Sequence, residues 1–254
     1  MILEARDVTV RYGGLVALDG VSLAVPDRSI VGLIGPNGAG KTTFFGVLSG
    51  LVRPRAGTVA LAGADVTRRS PQARARLGLA RTFQRLELFG ELTVREHVLL
   101  AHRQGRGSPF TRFARDLVGL GARTDPEEDA AVTSVLELFG LAAAADRPAA
   151  ALGLGTGRLV ELARAVATRP RVLLLDEPSS GLDARETAQL AEVLRRLRDD
   201  RDVALVLVEH DVEMVLSLAR RVTVLDFGQV IAEGTPDEIR ADAAVQAAYL
   251  GTTT

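Results

Sequence analysis

Nine consecutive residues, Gly35-Pro36-Asn37-Gly38-Ala39-Gly40-Lys41-Thr42-Thr43, bring together three glycines, one ammonium and two hydroxyls. Of the 31 lysine and arginine residues in the chain, Lys41 is the single lysine. An ammonium is a compact point charge on a slim stem, whereas a guanidinium is a wide planar fork. A chain that otherwise uses arginine has therefore kept the cation that fits a narrow phosphate cradle. The spacing is G-x-x-x-x-G-K-[ST], in which the glycines let successive N–H groups turn inward and the lysine reaches the outer phosphates. Gly35, Asn37, Gly38, Ala39, Gly40, Lys41, Thr42 and Thr43 are the predicted cradle, with the Thr42 hydroxyl directed at a divalent cation.

A second group is Val172-Leu173-Leu174-Leu175-Asp176-Glu177, an apolar run that ends in two carboxylates. Successive side chains of a strand point to opposite faces, so Asp176 and Glu177 are predicted to serve two roles. By analogy with P-loop NTPases, Asp176 sits beside Mg²⁺, and Glu177 faces the attacking water as a general base or water-orienting group.

These groups need a scaffold that delivers them to one place. Ser29–Ile34 before the cradle reads as a buried strand, and Lys41–Leu51 after it as a helix with Phe44, Phe45, Val47, Leu48 and Leu51 at helical spacings. Leu3–Tyr12, Val21–Val25, Gly57–Gly63 and Leu79–Gln84 read as further strands. From Thr93 to about Glu161 the pattern turns helical, with helices over Thr93–His102 and Pro126–Phe139. The Gly- and Arg-rich stretch Arg103–Thr124 reads as an exposed insertion, and Ala142–Ala145 as a helix end or linker. Alternation returns with strands Val172–Asp176 and Val203–Glu209, helices Ala184–Arg198 and Val212–Leu218, and short strands Val222–Asp226 and Val230–Glu233. Such alternation predicts a parallel sheet covered on both faces, with the helical middle inserted into an α/β core.

Composition narrows the function classes. The 254 residues carry a net charge of −1, which gives no basic footprint for nucleic acid. Cysteine is absent, so disulfides and thiol catalysis are excluded. Val203-Ala204-Leu205-Val206-Leu207-Val208 is far shorter than the ~20 apolar residues of a membrane span. The first residues lack a signal-peptide layout, and a cytoplasmic placement is predicted.

Further motifs, in order along the chain, carry a resemblance. Asp176-Glu177-Pro178-Ser179-Ser180-Gly181-Leu182-Asp183 is similar to the Walker B and D-loop segment of ATP-binding cassette (ABC) ATPases, and Val208-Glu209-His210-Asp211 to their switch-histidine segment. Thr82-Phe83-Gln84 resembles the Q-loop, and Tyr12 in Val10-Arg11-Tyr12-Gly13-Gly14 stands where the family has an adenine-stacking aromatic. The resemblance implies one nucleotide-binding domain over residues 1–254. Its expected make-up is a mixed-sheet α/β core, an antiparallel β portion and an inserted helical subdomain over approximately residues 93–165. It implies ATP and Mg²⁺ as cofactors. Glu177, His210 and Gln84 are implied in catalysis, Thr42, Gln84 and Asp176 around the metal, and Asp183 reaching across a dimer. Taken alone, Asp183 also suits a helix N-cap, and His97 and His102 read as surface or core histidines.

One segment departs from the pattern. The family signature is close to Leu-Ser-Gly-Gly-Gln, and the aligned residues here are Leu152-Gly153-Leu154-Gly155-Thr156. The serine hydroxyl and glutamine amide are missing. Backbone N–H groups and the helix dipole around Gly153 and Gly155 are still able to meet a phosphate. Either hydrolysis at the site receiving this signature is weakened, or the change is neutral family variation.

Within the family, Ala80–Gln84, Leu88–Val94, the insertion and the ending Ala248-Tyr249-Leu250-Gly251 resemble the larger ATPase of branched-chain and hydrophobic amino-acid importers. That branch implies a second ABC ATPase subunit as a homo- or heterodimer, membrane permeases, an external solute-binding protein and a peripheral position on the inner face of the membrane. The weighed alternatives are the ATPase of a lipopolysaccharide or lipid exporter and an ATP-binding regulatory module with weak hydrolysis. A DNA-repair member would need long heptads, and a translation-associated member two cassettes; neither is present in the sequence.

Overall fold

A computed structural model of the chain describes residues 1–82, 86–105 and 125–250. Gln84, most of the insertion and Gly251 lie outside the described residues.

One compact unit comprises residues 1–81, 171–178 and 194–254. It opens with β1 (Leu3–Tyr12) and β2 (Leu15–Val25), an antiparallel pair joined at Gly13-Gly14. With β4 (Ala56–Leu61) and β5 (Ala64–Asp65) they form a four-stranded sheet in the order β2-β1-β4-β5. In β1 the buried residues run Leu3, Ala5, then Val8, Val10, so the two-residue period slips once. The cause is a bulge: the register shifts between Ala5 and Val8, and Asp7 sits at φ 49° with its N–H bonded to Ser22 Oγ at 2.9 Å.

The second sheet of this unit has the order β10-β9-β3-β8-β7-β6. Its strands are β3 (Ile30–Ile34), β6 (Leu79–Arg81), β7 (Val172–Asp176), β8 (Ala204–Val208), β9 (Arg221–Asp226) and β10 (Gln229–Gly234). All neighbours are parallel except β9 and β10. Every residue of β3, β7 and β8 is buried, as expected of parallel strands covered on both faces. The register sets Leu33 and Asp176 level with Val208. The carboxyl ends of β3, β7 and β8 therefore line up, where open α/β sheets bind ligands.

Helix α1 (Lys41–Ser49) follows β3, and Phe44, Phe45, Val47 and Leu48 bury fully in a core shared with both sheets. Each such side chain contributes about 1.5–3 kcal/mol. The far end of α1 is held by an arginine on α2 (Pro71–Arg76) that the sequence reading did not single out. Arg74 is buried and donates to the carbonyls of Val47 (2.6 Å) and Leu48 (2.7 Å), two of the acceptors a helix end leaves unsatisfied. Its Nη2 and Nε reach the carbonyls of Thr67 and Arg69. Burial pushes the Arg74 guanidinium down to about 10, with Asp65 opposing. The chain of this unit closes with α7 (Val212–Leu218), α8 (Pro236–Ala241) and α9 (Ala243–Leu250).

The other compact unit comprises residues 82–170 and 179–193. It contains α3 (Val94–Gly105), α4 (Pro126–Leu138) and α5 (Leu154–Ala167), with 3₁₀ turns at Ala142–Ala144 and Ala149–Ala151. Thr93 and Glu96 cap α3 reciprocally, Thr93 N–H donating to Glu96 Oε2 at 2.7 Å and Glu96 N–H to Thr93 Oγ1 at 3.2 Å. Asp125 caps α4, and Pro126 begins it. Helix α6 (Ala184–Arg201) starts in this unit and ends in the first. The mixed sheet, the antiparallel sheet and the helices make the chain an α/β protein, as expected from its alternation.

Candidate active site

The cradle begins where β3 ends. Gly35 has φ 152°, and a Cβ there would strike the Leu225 carbonyl of β9. Gly40 has φ 102°, and a Cβ would lie 2.9 Å from the Ala17 carbonyl. Side chains are excluded at both places, so the loop backbone lies directly on its neighbours. The Gly228 N–H donates to the Ala39 carbonyl at 3.0 Å, and Ala39 N–H to the Pro36 carbonyl at 3.2 Å. Gly40 caps α1 without a side-chain hydrogen bond, which leaves the first N–H groups of the helix for an anion.

Lys41 is 7% exposed, and its Nζ donates to the carbonyls of Gly35 (2.5 Å) and Pro36 (2.9 Å). The loop thus supplies two acceptors to its own cation. Burial lowers the Lys41 ammonium from its usual range, and Glu177 and Asp176 oppose that shift. The aromatic Tyr249 of α9 also reaches this loop: a backbone hydrogen bond from Gly35 lowers its phenol, while burial raises it to about 12.

Asp176 closes β7 and is 3% exposed. Arg81, at the end of β6, places Nη2 2.8 Å from Asp176 Oδ2. The next residue, Glu177, takes φ 50°, a left-handed backbone, while its N–H donates to the Val208 carbonyl at 2.9 Å. The backbone thus kinks between the two carboxylates, where the sequence pattern predicts simple strand alternation. Glu177 Oε1 lies 2.7 Å from His210 Nε2. His210 follows β8, with its side chain 54% exposed, and Asp211 just after it caps α7 by accepting from the Met214 N–H at 3.0 Å. The loop, Asp176, Glu177 and His210 therefore stand at the carboxyl ends of three adjacent strands. Tyr12 ends β1, half exposed beside the Gly13-Gly14 turn.

Thr42 is exposed at the start of α1. Its hydroxyl and the Asp176 carboxylate are hard oxygen donors suited to Mg²⁺, which is bound by one or two carboxylates together with substrate phosphates. The donor chemistry fits that ion.

In the second unit, Gly153 caps α5 with φ −70° and ψ 164°, a conformation open to any residue, and nothing lies within 4 Å of a Cβ built there. Gly155 is different: a Cβ would collide with the Glu186 carboxylate. Glu186 and Asp183 form a reciprocal cap on α6, Asp183 N–H donating to Glu186 Oε2 (3.0 Å) and Glu186 N–H to Asp183 Oδ1 (2.8 Å). Asp183 is thus seated as a helix cap. His97 is buried; its Nε2 accepts from the Phe89 N–H at 3.0 Å and its Nδ1 lies 2.9 Å from the Thr93 carbonyl. Accepting at Nε2 makes it a neutral ring that donates from Nδ1, and burial lowers its affinity for a proton. With Arg164 donating to the Glu87 carbonyl at 2.6 Å, it fixes the segment carrying the exposed Leu86 and Phe89.

The sequence reading had no role for Arg81, Arg74 or Glu186. A buried carboxylate at a strand end demands a cationic or donor partner. The strand order β7-β6 is what identifies Arg81 as that partner.

Residues 18–180 match the model of the ABC transporter family. The chain belongs to the ABC transporter family. Residues 229–253 also match the family described as branched-chain amino acid ATP-binding cassette transporter. The chain is 40% identical over 251 residues to LivG of Salmonella typhimurium, a high-affinity branched-chain amino acid transport ATP-binding protein, covering 98% of both. It is 39% identical over 252 residues to BraF of Pseudomonas aeruginosa, of the same description, again covering 98% of both. Among solved structures, the ADP conformation of MJ1267, an ATP-binding cassette of an ABC transporter, superposes with a TM-score of 0.83 at 29% identity over 98% of both chains. As an ABC ATPase, the chain binds nucleotide. Among the described residues, no helix is long and apolar enough to cross a membrane.

Proposed function

We propose that this ABC ATPase powers uptake of branched-chain or other hydrophobic amino acids, working beneath two membrane permeases fed by an external solute-binding protein. The match of residues 229–253 and the end-to-end similarity to LivG and BraF support that reading over lipid export. The Glu177–His210 contact of 2.7 Å at the strand ends, beside the Lys41 loop, is the observation that carries hydrolysis over a merely ATP-binding role.

In this reading Tyr12 stacks on adenine, while the N–H groups of Gly38, Ala39, Gly40, Lys41, Thr42 and Thr43, with Asn37 beside them, hold the phosphates. Lys41 exchanges the Gly35 and Pro36 carbonyls for phosphate oxygens. Thr42 and Gln84, with Asp176 behind them, would hold Mg²⁺, which when bound would neutralise charge at the outer phosphates. Glu177 accepts a proton from the attacking water as its oxygen bonds the γ-phosphorus and the bond to the β–γ bridging oxygen breaks. His210 holds Glu177 in place and contacts the γ-phosphate. A second ATPase subunit, identical or related, faces this one head to tail, so that the segment Leu152–Thr156 and Asp183 serve the partner's nucleotide. Exposed Leu86 and Phe89 offer apolar surface to a permease helix on the inner face of the membrane.

Reconstitution with branched-chain amino-acid permease subunits tests both parts. ATP-driven uptake of labelled leucine is expected. Glu177→Gln should retain bound ATP while turnover falls about 10²–10⁴-fold, the usual share of a general base. Turnover near the parent's would remove Glu177 from that role, and vesicles that take up no hydrophobic amino acid would rule out the importer assignment.

A further inference from the structure

Beside the phosphate cradle and the Glu177–His210 pair, a largely enclosed guanidinium faces the buried Asp176. The Arg81 side chain is 11% exposed. Its fork is divided between two elements: Nη2 meets Asp176 Oδ2 at 2.8 Å on β7, and Nη1 donates to Ser49 Oγ at 3.1 Å on α1. Its guanidinium carbon lies 5.7 Å from the centroid of the Phe45 ring, also on α1. Ser49 is buried and donates in turn to the Gly46 carbonyl at 3.2 Å. The cation is thus fixed from the helix that begins at Lys41 and aimed at the carboxylate that ends β7.

We infer that Arg81 is a positioning residue that sets the orientation of Asp176 and makes divalent-cation binding depend on nucleotide. The inference rests on the reading of Asp176 as the carboxylate behind the metal. Two physical features carry it. A carboxylate bound through one oxygen to a fixed guanidinium loses its freedom to rotate, so its other oxygen keeps one direction whether or not ligand is present. The guanidinium charge, 2.8 Å away in a buried setting, also offsets the carboxylate charge. A free divalent ion then meets little net negative charge from this pair; the excess arrives with the phosphates. A lysine would keep the charge but lacks the second arm for Ser49.

The test reads cation dependence rather than turnover. A fluorescent ATP analogue is titrated into the full chain with and without Mg²⁺, and Mn²⁺ binding without nucleotide is followed by electron paramagnetic resonance. For Arg81→Met, affinity without Mg²⁺ should stay within about twofold, the Mg²⁺-dependent gain should shrink about tenfold, and Mn²⁺ alone should bind about tenfold tighter. A tenfold change is 1.4 kcal/mol, the lower edge of one hydrogen bond to a charged group. Arg81→Lys should restore part of the gain, and in an Asp176→Asn background Arg81→Met should change nothing further. If Arg81→Met lacks a cooperative thermal transition, Arg81→Lys against the parent carries the test. Parental cation dependence in the variants, or an undiminished effect in the Asp176→Asn background, would overturn the inference. A parent chain that binds no ATP analogue would instead overturn the ATP-site reading on which it rests.

Discussion

The two halves of the proposed ATP-binding machinery, the Lys41 loop and the Gly153 segment, differ in how their polar groups are satisfied. Around Lys41, each charged group has a protein partner at hydrogen-bond distance: Lys41 the Gly35 and Pro36 carbonyls, Asp176 the Arg81 fork, Glu177 the His210 ring. Both α1 at Gly40 and α5 at Gly153 open without a side-chain cap, but around Gly153 the positions of the family's serine and glutamine hold Gly153 and Thr156. The first half is organised before ligand arrives. The second presents backbone N–H groups and a helix end, and relies on whatever anion is brought to it. In the proposed head-to-tail pairing, ordering therefore resides in the half that binds its own subunit's nucleotide.

The largest expected effect follows from breaking that order at a distance from the phosphates. Arg74→Leu leaves the Leu48 carbonyl without its buried donor and the Val47 carbonyl with the Gly50 N–H at 3.2 Å. At about 1–3 kcal/mol per unsatisfied group, a loss of about 3 kcal/mol is expected. For a chain of this size that is a fall in Tm of about 6–12 °C by differential scanning calorimetry. An unchanged Tm would mean that the end of α1 is held by something other than Arg74.

A smaller effect is expected on the signature side. Gly153→Ser meets no neighbour and adopts the observed φ and ψ, and Gly153→Ser with Thr156→Gln restores the missing groups. One hydrogen bond to a charged phosphate is worth about 1.5–3 kcal/mol, and a rise of at least about tenfold is expected in the cooperative ATPase rate of the assembled transporter. No rise would make the substitution neutral variation, and the contrast between the halves would then carry no kinetic consequence.

Much of this was legible in the residues alone. The G-x-x-x-x-G-K-T spacing, the apolar run ending in Asp176-Glu177 and the alternation of strands and helices announced the α/β core, because each is a local pattern with a local cause. What stayed hidden depends on pairing across the chain. Arg81 and Asp176 are 95 residues apart and meet because β6 lies beside β7. Arg74 meets α1 from 26 residues away. The left-handed turn at Glu177 had no signal, since φ above zero is expected at glycine or asparagine. Helix α2 was missed because six residues are too few for a period to show, and the Asp7 bulge because a strand pattern with one slip reads as continuous.

The contrast between the halves is tested most directly by ATP-analogue titration of the isolated full-length chain. Lys41→Ala, which removes a charged donor to phosphate, should weaken binding about 10- to 150-fold, the equivalent of about 1.5–3 kcal/mol. The Gly153→Ser and Thr156→Gln double variant should bind within about twofold of the parent, because in the proposed dimer its altered groups serve the partner's nucleotide. Parental affinity in Lys41→Ala, or a changed affinity in the double variant on its own, would contradict the account.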